Sequence, residues 1–380
     1  MGLAGLFLLA GGGYSAYWFF EGRYYEATAD AYVNGNTIML TPQISGTATA
    51  IHADDTDLVT RGQPMVNLDP SDARLALQHA EAMFAQTVRE VRQLYERKGE
   101  LQASVVMRET QLAQAQQDYH RNVNLLKIHG VSRQEYQHTR TRWRAAKAAL
   151  SVVRHQLGGL QALVGNIDLQ QHPQVELAAS RLEDAYLNLQ RMNILAPITG
   201  YVAQREVQVG DKVSPGNPLL AIVPLNQVWV EANFKETQLQ DMRIGQQVEI
   251  TADFYGSDVI YHGRVQGLFP GTGSAFSLLP PQNATGNWIK IVQRVPVRIN
   301  LKRNELRRHP LLLQLSLNTA VDVHDTSGPV LAHASQNKPI YSTDVYRGRL
   351  EGAQLLIDRI IAENSGKPGT RAIARDGDGR

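Results

Sequence analysis

The feature that most constrains the fold of this chain is a repeat whose two copies lie far apart. Residues 44–70 and 198–224 align without a gap at an offset of 154. Each copy has short apolar stretches broken by Gly, Pro and Asp, which predicts short strands joined by tight turns. Neither copy can bury its apolar face alone, so we expect both to pair as one small β-sandwich. The identical positions are Ile44/Ile198, Gly46/Gly200, Val59/Val213, Gly62/Gly216, Pro64/Pro218 and Pro70/Pro224.

The segment between the copies must leave the sandwich and return to it, which predicts a hairpin of two helical arms. The first arm, from Ser71 to Leu126, is rich in good helix formers and contains no Pro. The returning arm has a similar apolar stripe with a break near Pro173. The pattern predicts an antiparallel coiled coil of about 80 Å, with about 56 helical residues in each arm. In the first arm the stripe recurs every seven residues, with Lys98 as its one polar member, at Leu77, Phe84, Val91, Val105, Leu112, Tyr119 and Leu126.

The far end of this hairpin is the surface that a partner would meet first. Residues 127–134 (KIHGVSRQ) are predicted to form this tip. Gly130 is the expected turn residue, and Ser132 is the expected N-cap of the returning helix. We therefore expect function to lie at the tip and packing along the arms.

The first residues of the chain predict a membrane anchor. Residues 2–20 carry no charged side chain and contain an aromatic cluster at their end. A run of this length can just span a hydrocarbon core. The alternative is a secretory signal peptide, but the basic leader and a small-residue cleavage site are missing. We expect a single anchor at residues 1–22.

The remaining sequence predicts further β-structure. Strand-like alternation after the second copy indicates a β-barrel, and strand-like runs from both ends of the chain indicate a membrane-proximal β-domain. The tail is rich in Gly, Arg and Asp and is expected to be disordered. The predicted fold class is multi-module α+β. Its parts are the anchor (1–22), the membrane-proximal domain (23–43 and 302–361), the sandwich halves (44–70 and 195–224), the α-helical hairpin (71–194), the barrel (225–301) and the tail (362–380).

Catalytic and cofactor chemistry find no support in the sequence. There is no Gly-x-Ser-x-Gly, no P-loop and no His-Glu-x-x-His, and the eleven His residues lack ligand spacing. The absence of Cys excludes disulfides and cysteine-based metal sites. A net charge of +2 without a basic, aromatic patch gives no reason to expect nucleic acid. We expect no enzymatic activity, no cofactor and no metal.

A split sandwich that carries a coiled-coil hairpin resembles the periplasmic adaptor, or membrane fusion, proteins of the HlyD type in tripartite efflux pumps. In these adaptors the sandwich is a lipoyl domain. The resemblance covers nearly the whole chain and is closest to Emr-type multidrug adaptors. One departure is Ala29, where relatives usually have a second Asp. The resemblance rests on three strings, which are Ala31–Val33 (AYV), Asn233–Gln238 (NFKETQ) and residues 271–299 (GTGSAFSLLPPQNATGNWIKIVQRVPVRI).

The resemblance implies a non-enzymatic adaptor in a Gram-negative bacterium. It would link a proton-driven, major-facilitator drug transporter in the inner membrane to an outer-membrane channel. The adaptor would be a homo-oligomer, a trimer or a hexamer, with a single-pass anchor and its bulk in the periplasm. At the tip, Arg121, Leu125 and Ser132 match the Arg-Leu-Ser pattern by which such adaptors dock to the channel.

Three other interpretations were weighed. A lipoyl-type carrier domain would present a modified Lys at the turn between its halves, but here the hairpin replaces that turn. An adaptor of a type I protein secretion system also has one anchor and a hairpin, although such hairpins are usually longer. A bare coiled-coil spacer would explain neither the barrel nor the split repeat.

Overall fold

The computed structural model describes residue 19 and residues 22–276, 292–332, 337 and 339–365. The described chain divides into two compact units, one within residues 1–68 and 193–346 and the other within residues 69–192 and 347–380. The strands are β1 (Tyr25–Asn34), β2 (Ile38–Leu40), β3 (Gly46–Ile51), β4 (Leu58–Val59), β5 (Pro64–Leu68), β6 (Asn193–Leu195), β7 (Gly200–Ala203), β8 (Lys212–Val213), β9 (Leu220–Val223), β10 (Trp229–Lys235), β11 (Gln247–Ala252), β12 (Gly256–Leu268), β13 (Arg294–Leu301) and β14 (Ser316–Asp322). The α-helices are α1 (Ser71–Lys127), α2 (Arg133–Val164), α3 (Pro173–Arg191), α4 (Arg303–Arg308) and α5 (Glu351–Asn364).

The two copies of the repeat form one β-sandwich, as predicted. Its sheets have the strand orders β2-β9-β7-β4 and β6-β5-β3-β8. The equivalent strands of the two copies are β2 and β6, β3 and β7, β4 and β8, and β5 and β9. Equivalent strands occupy equivalent positions in the two sheets. The copies are interlocked, because β3 pairs with β8 and β4 pairs with β7. Because each sheet contains strands from both copies, neither copy can form the sandwich alone.

The repeat is longer than its sequence alignment. Strands β2 and β6 hold equivalent places in the two sheets, although one extra residue before Ile44 breaks the alignment there. The prediction that placed β2 in a membrane-proximal domain is therefore wrong, and the predicted end of the hairpin at residue 194 lies inside β6. The equivalent turn residues Gly62 and Gly216 have φ values of +84° and +94°, which explains a glycine in both copies.

The hairpin has the predicted architecture. Helix α1 has 57 residues and begins at Ser71. The predicted break on the returning arm occurs at residues 165–172, between α2 and α3. Gly165, with φ +67°, ends α2, and Pro173 occupies the first turn of α3. The one polar member of the α1 stripe has a role at this break, because Lys98 Nζ donates to the carbonyl oxygen of Gly165 at 3.3 Å.

A fifth helix packs against the base of this hairpin. The buried side chains of α5, which include Ile357 and Ile360, join a core with Phe84 of α1 and Leu182 of α3. At the end of α5, the side-chain oxygen of Asn364 accepts a hydrogen bond from Arg89 at 2.8 Å. Residues 351–361 were predicted to belong to a β-domain, and the disordered tail was predicted to begin at 362. Both predictions are wrong here, because the helical spacing of the apolar residues in α5 fits the open face of the hairpin.

The barrel contains six strands in the closed order β1-β10-β13-β12-β11-β14. Strand β1 pairs with β10 on one side and with β14 on the other. The predicted barrel and fold class are confirmed, but β1 and β14 had been assigned to a separate membrane-proximal domain. They instead close the barrel, which leaves no sheet edge unpaired. The buried core includes Val230, Phe234, Ile250, Tyr261 and Ile299.

The predicted anchor at residues 1–22 lies outside the described residues except for Phe19 and Gly22. Among the helices that the structure describes, none has the length and apolar character needed to cross a membrane. Residues 366–380 of the predicted tail also lie outside the described residues.

Candidate functional site at the hairpin tip

The tip is a short turn between α1 and α2. Backbone hydrogen bonds close the end of α1, and the shortest of these joins the Gly130 amide to the carbonyl oxygen of Leu125 at 2.8 Å. The left-handed residue of this turn is His129, with φ +59°. Gly130 was predicted to be the turn residue, but the residue that adopts the left-handed conformation is His129. His tolerates the left-handed region better than most side chains, so this position does not require glycine.

Ser132 is the N-cap of α2, as predicted. Its backbone is extended, and its hydroxyl oxygen accepts a hydrogen bond from the Glu135 amide at 3.2 Å. This bond satisfies one of the amides that have no partner within the helix. The hydroxyl group of Ser132 thus supports the local structure of the tip.

Arg121 and Leu125 lie one helical turn apart on α1, so they share one face of the helix. The side chain of Arg121 is 67% exposed, and its guanidinium group lies 3.2 Å from the carboxylate of Asp118. An exposed pair of this kind contributes little to stability, so Arg121 can exchange Asp118 for another acceptor. Leu125 is half-buried, and Gly130 packs closely against it.

Ile128 is a tip residue that the sequence analysis did not single out. It follows the last residue of α1 and is 72% exposed. The available signal was its place in the tip segment, two residues after the last member of the heptad stripe. An isoleucine exposed at the end of a long hairpin adds an apolar contact point beside Arg121 and Leu125.

An aromatic and polar layer supports the tip. The rings of Tyr119 and Trp143 are stacked, with centroids 5.1 Å apart and planes 6° from parallel. The hydrogen bond between the hydroxyl groups of Tyr119 and Tyr136, at 3.4 Å, raises the pKa of Tyr119. Thr139 is buried beside Asn122, whose side-chain nitrogen donates to it at 3.4 Å. These contacts join the two arms at the level of Arg121.

Across the described ranges, no group of three or more His, Asp or Glu side chains could hold a metal ion. The tip presents an exposed cation, Arg121, and two apolar side chains, Leu125 and Ile128.

Comparisons with known proteins find matches to the hairpin and to the barrel. A family model described as the EMRA alpha-helical hairpin domain matches residues 71–192, which correspond to α1, α2 and α3. A second, described as the AAEA-like beta-barrel domain, matches residues 227–312. A solved structure of the periplasmic adaptor protein EmrA covers 79% of this chain and 99% of that chain, with a TM-score of 0.40 and 18% identity.

Two relatives are similar over almost the full length. The multidrug export protein EmrA of Escherichia coli K12 is 45% identical over 350 residues, which cover 92% of this chain and 90% of that protein. The multidrug export protein EmrA of Haemophilus influenzae is 44% identical over 360 residues, which cover 95% of this chain and 92% of that protein. The chain therefore belongs to the EmrA family of multidrug export proteins.

Proposed function

We propose that this chain is a non-enzymatic adaptor that links an inner-membrane drug transporter to an outer-membrane channel. The observation that carries the proposal is the hairpin of residues 71–192, whose exposed tip lies at the end of a 57-residue helix. A helix of that length spans about 85 Å. Such a rod suits a protein that must bridge a gap between two membranes.

The rest of the assembly follows from this role. Residues 1–22 would anchor the chain in the inner membrane, with its bulk in the periplasm. The β-domains would pack around a proton-driven transporter of the major-facilitator class, which supplies the energy. Several copies side by side, three or six, would close a tube with their hairpins.

The docking surface would be the tip surface, which consists of Arg121, Leu125, Ile128 and Ser132. Arg121 supplies an exposed cation that can pair with an acidic group on the channel. Leu125 and Ile128 supply apolar contacts. Ser132 holds the turn in shape through its N-cap hydrogen bond to Glu135.

Cross-linking in intact cells tests this contact directly. Because the chain contains no Cys, a single cysteine can be introduced at Ile128, which leaves the N-cap at Ser132 intact. The matched control is a cysteine at Val106, which is 62% exposed on α1 and about 33 Å from Ile128 along the helix. We expect an outer-membrane channel to be captured from Ile128 and not from Val106. Equal capture from both sites, or none from Ile128 in cells that still export drug, would contradict docking at the tip.

A charge reversal tests the contribution of Arg121. We expect Arg121→Asp to abolish drug export without unfolding the hairpin, since Arg121 is exposed and makes only a surface ion pair. Arg97→Asp, at another exposed position on α1, is the control and should leave export unchanged. Drug resistance of cells and helical circular dichroism of the purified variants are the measurements. Full export by the Arg121 variant would count against the docking role.

Drug export is preferred to the protein-secretion alternative because both relatives named above are multidrug export proteins. No observation on this chain favours protein secretion. Identification of the transporter that co-purifies with the adaptor would separate the two functions.

A further inference from the structure

The end of the hairpin that carries the tip, residues 118–147, is strongly basic. It holds seven Arg and Lys residues and two Asp and Glu residues, which gives this segment a net charge of +5. The whole chain of 380 residues carries only +2. Positive charge is therefore concentrated at this end of the hairpin, where it would attract an acidic partner.

Three of these cations lie on one face of α2, below the tip. Arg140, Arg144 and Lys147 are four and three residues apart, so they form a line of about 10 Å along the helix. Arg144 and Lys147 are exposed, and Arg140 is half-buried. Among the described residues, no ion pair involves any of the three. Their charges are therefore available to a partner.

Two aromatic rings lie beside these cations. Tyr119 of α1 and Trp143 of α2 are stacked and partly exposed. Nζ of Lys147 lies 5.9 Å from the centre of the Trp143 ring. The sequence did not reveal this grouping, because the two rings belong to different arms and meet only when the arms pair. The three cations and two rings are called the shaft patch, which consists of Tyr119, Arg140, Trp143, Arg144 and Lys147.

The position of the shaft patch separates it from the tip surface. Arg140 lies about 12 Å from Ser132 along α2, and Lys147 lies about 22 Å from it. A partner that meets only the tip surface would leave the shaft patch uncovered. Two copies of this chain that met through this face would bring equal charges together, which is unfavourable. The geometry favours an anion that lies beside the hairpin.

A cell-wall polymer has the matching chemistry. Peptidoglycan is a network of sugar chains whose peptide stems carry free carboxylates. The guanidinium groups of Arg140 and Arg144 match carboxylates, and the Trp143 ring offers an apolar surface to a sugar. We propose that the shaft patch binds the carboxylates of peptidoglycan where the hairpin passes through the cell wall. This inference rests on the periplasmic position in the proposed function, but not on docking at the tip.

Co-sedimentation with purified cell-wall sacculi tests the proposal. The full-length protein in detergent is mixed with intact sacculi or with sacculi whose carboxylates have been amidated. We expect binding to amidated sacculi to be about tenfold weaker. Salt at about 1 M should release the protein from intact sacculi, because it shortens the Debye length to about 3 Å. Absence of binding to intact sacculi at low salt, or equal binding to both kinds, would overturn the proposal.

A triple variant assigns the binding to the shaft patch. The variant Arg140→Gln/Arg144→Gln/Lys147→Gln should bind intact sacculi about tenfold more weakly than the unchanged protein does. Helical circular dichroism checks that the hairpin is folded. The comparison of intact with amidated sacculi needs no variant, so it decides the proposal even if this protein folds poorly.

A matched control removes the same charge elsewhere on the hairpin. The variant Arg74→Gln/Arg97→Gln/Arg181→Gln changes three exposed residues outside the segment 118–147 and should bind intact sacculi as the unchanged protein does. Equal binding by the two triple variants would overturn the proposal. Loss of channel capture from Ile128 in the Arg140, Arg144 and Lys147 variant would assign the shaft patch to the channel and would also overturn it. The sacculus assay needs neither transporter nor channel, so its failure would leave docking at the tip untouched.

Discussion

At the scale of single residues, the three side chains predicted to dock have different surroundings. The hydroxyl oxygen of Ser132 accepts a hydrogen bond from the Glu135 amide, whereas Arg121 is exposed beside Asp118 and Leu125 packs against Gly130. The sequence pattern alone does not distinguish the surroundings of these three residues. The structure gives Ser132 a second role, since its hydroxyl oxygen caps α2 while its O–H group can still donate to a partner.

The capping role of Ser132 gives the first prediction. Ser132→Ala should weaken the first turn of α2 by about 1 kcal/mol, since it leaves the Glu135 amide without an acceptor. Ser132→Asp should keep the turn, because Asp is an equally good N-cap. Amide hydrogen exchange at Glu135 should be about fivefold faster in the alanine variant than in the aspartate variant. Identical exchange in all three proteins would rule out the cap as a contributor to tip stability.

At the scale of elements, the base of the hairpin is a three-helix arrangement rather than a two-helix coiled coil. Helix α5 covers Phe84 and Val91 of α1 together with Leu182 of α3. The first half of the α1 stripe is buried in this way, while its later members, from Val105 to Leu126, are only partly buried. We infer that the base supplies more of the hairpin's stability than the tip end does, because it buries more apolar area.

Two residues of α5 test this inference. Ile357 is 4% exposed and Leu355 is 72% exposed on the same helix. Ile357→Ala should lower the free energy of unfolding by about 2–4 kcal/mol, since it opens a cavity in the core. Leu355→Ala should change it by less than about 0.5 kcal/mol. Urea unfolding followed by the helical circular dichroism signal measures both. Equal effects would mean that α5 does not pack on the hairpin in solution.

At the scale of the whole molecule, the described chain buries apolar side chains in several separate places. One core fills the barrel and another lies among the helices at the hairpin base, while the sandwich buries side chains of its own, such as Met65 and Ile222. Both ends of the described chain contribute to these cores, because β1 closes the barrel and α5 covers the hairpin. We therefore expect the two units to open independently of each other.

Reciprocal core substitutions test this independence. Ile299 and Leu182 are both fully buried, one in the barrel and the other at the hairpin base. Ile299→Ala should speed hydrogen exchange in the barrel strands and leave α1 and α3 unchanged, and Leu182→Ala should do the reverse. Exchange that accelerates throughout the chain in either variant would indicate a single cooperative unit.

The sequence by itself determined the features that depend on local pattern. The gapless repeat predicted the sandwich, the seven-residue period predicted the hairpin with its break near Pro173, and the spacing at the tip predicted Ser132 as an N-cap. Only the tertiary structure decided which elements meet. Alternation in β1 and β14 indicates which residues are buried but not which strands pair across nearly 300 residues, and the apolar stripe of α5 does not name its partner helix. The contact of Tyr119 with Trp143 likewise depends on the register of α1 against α2. Periodicity reports the environment of a residue, whereas the identity of its neighbours is a property of the folded chain.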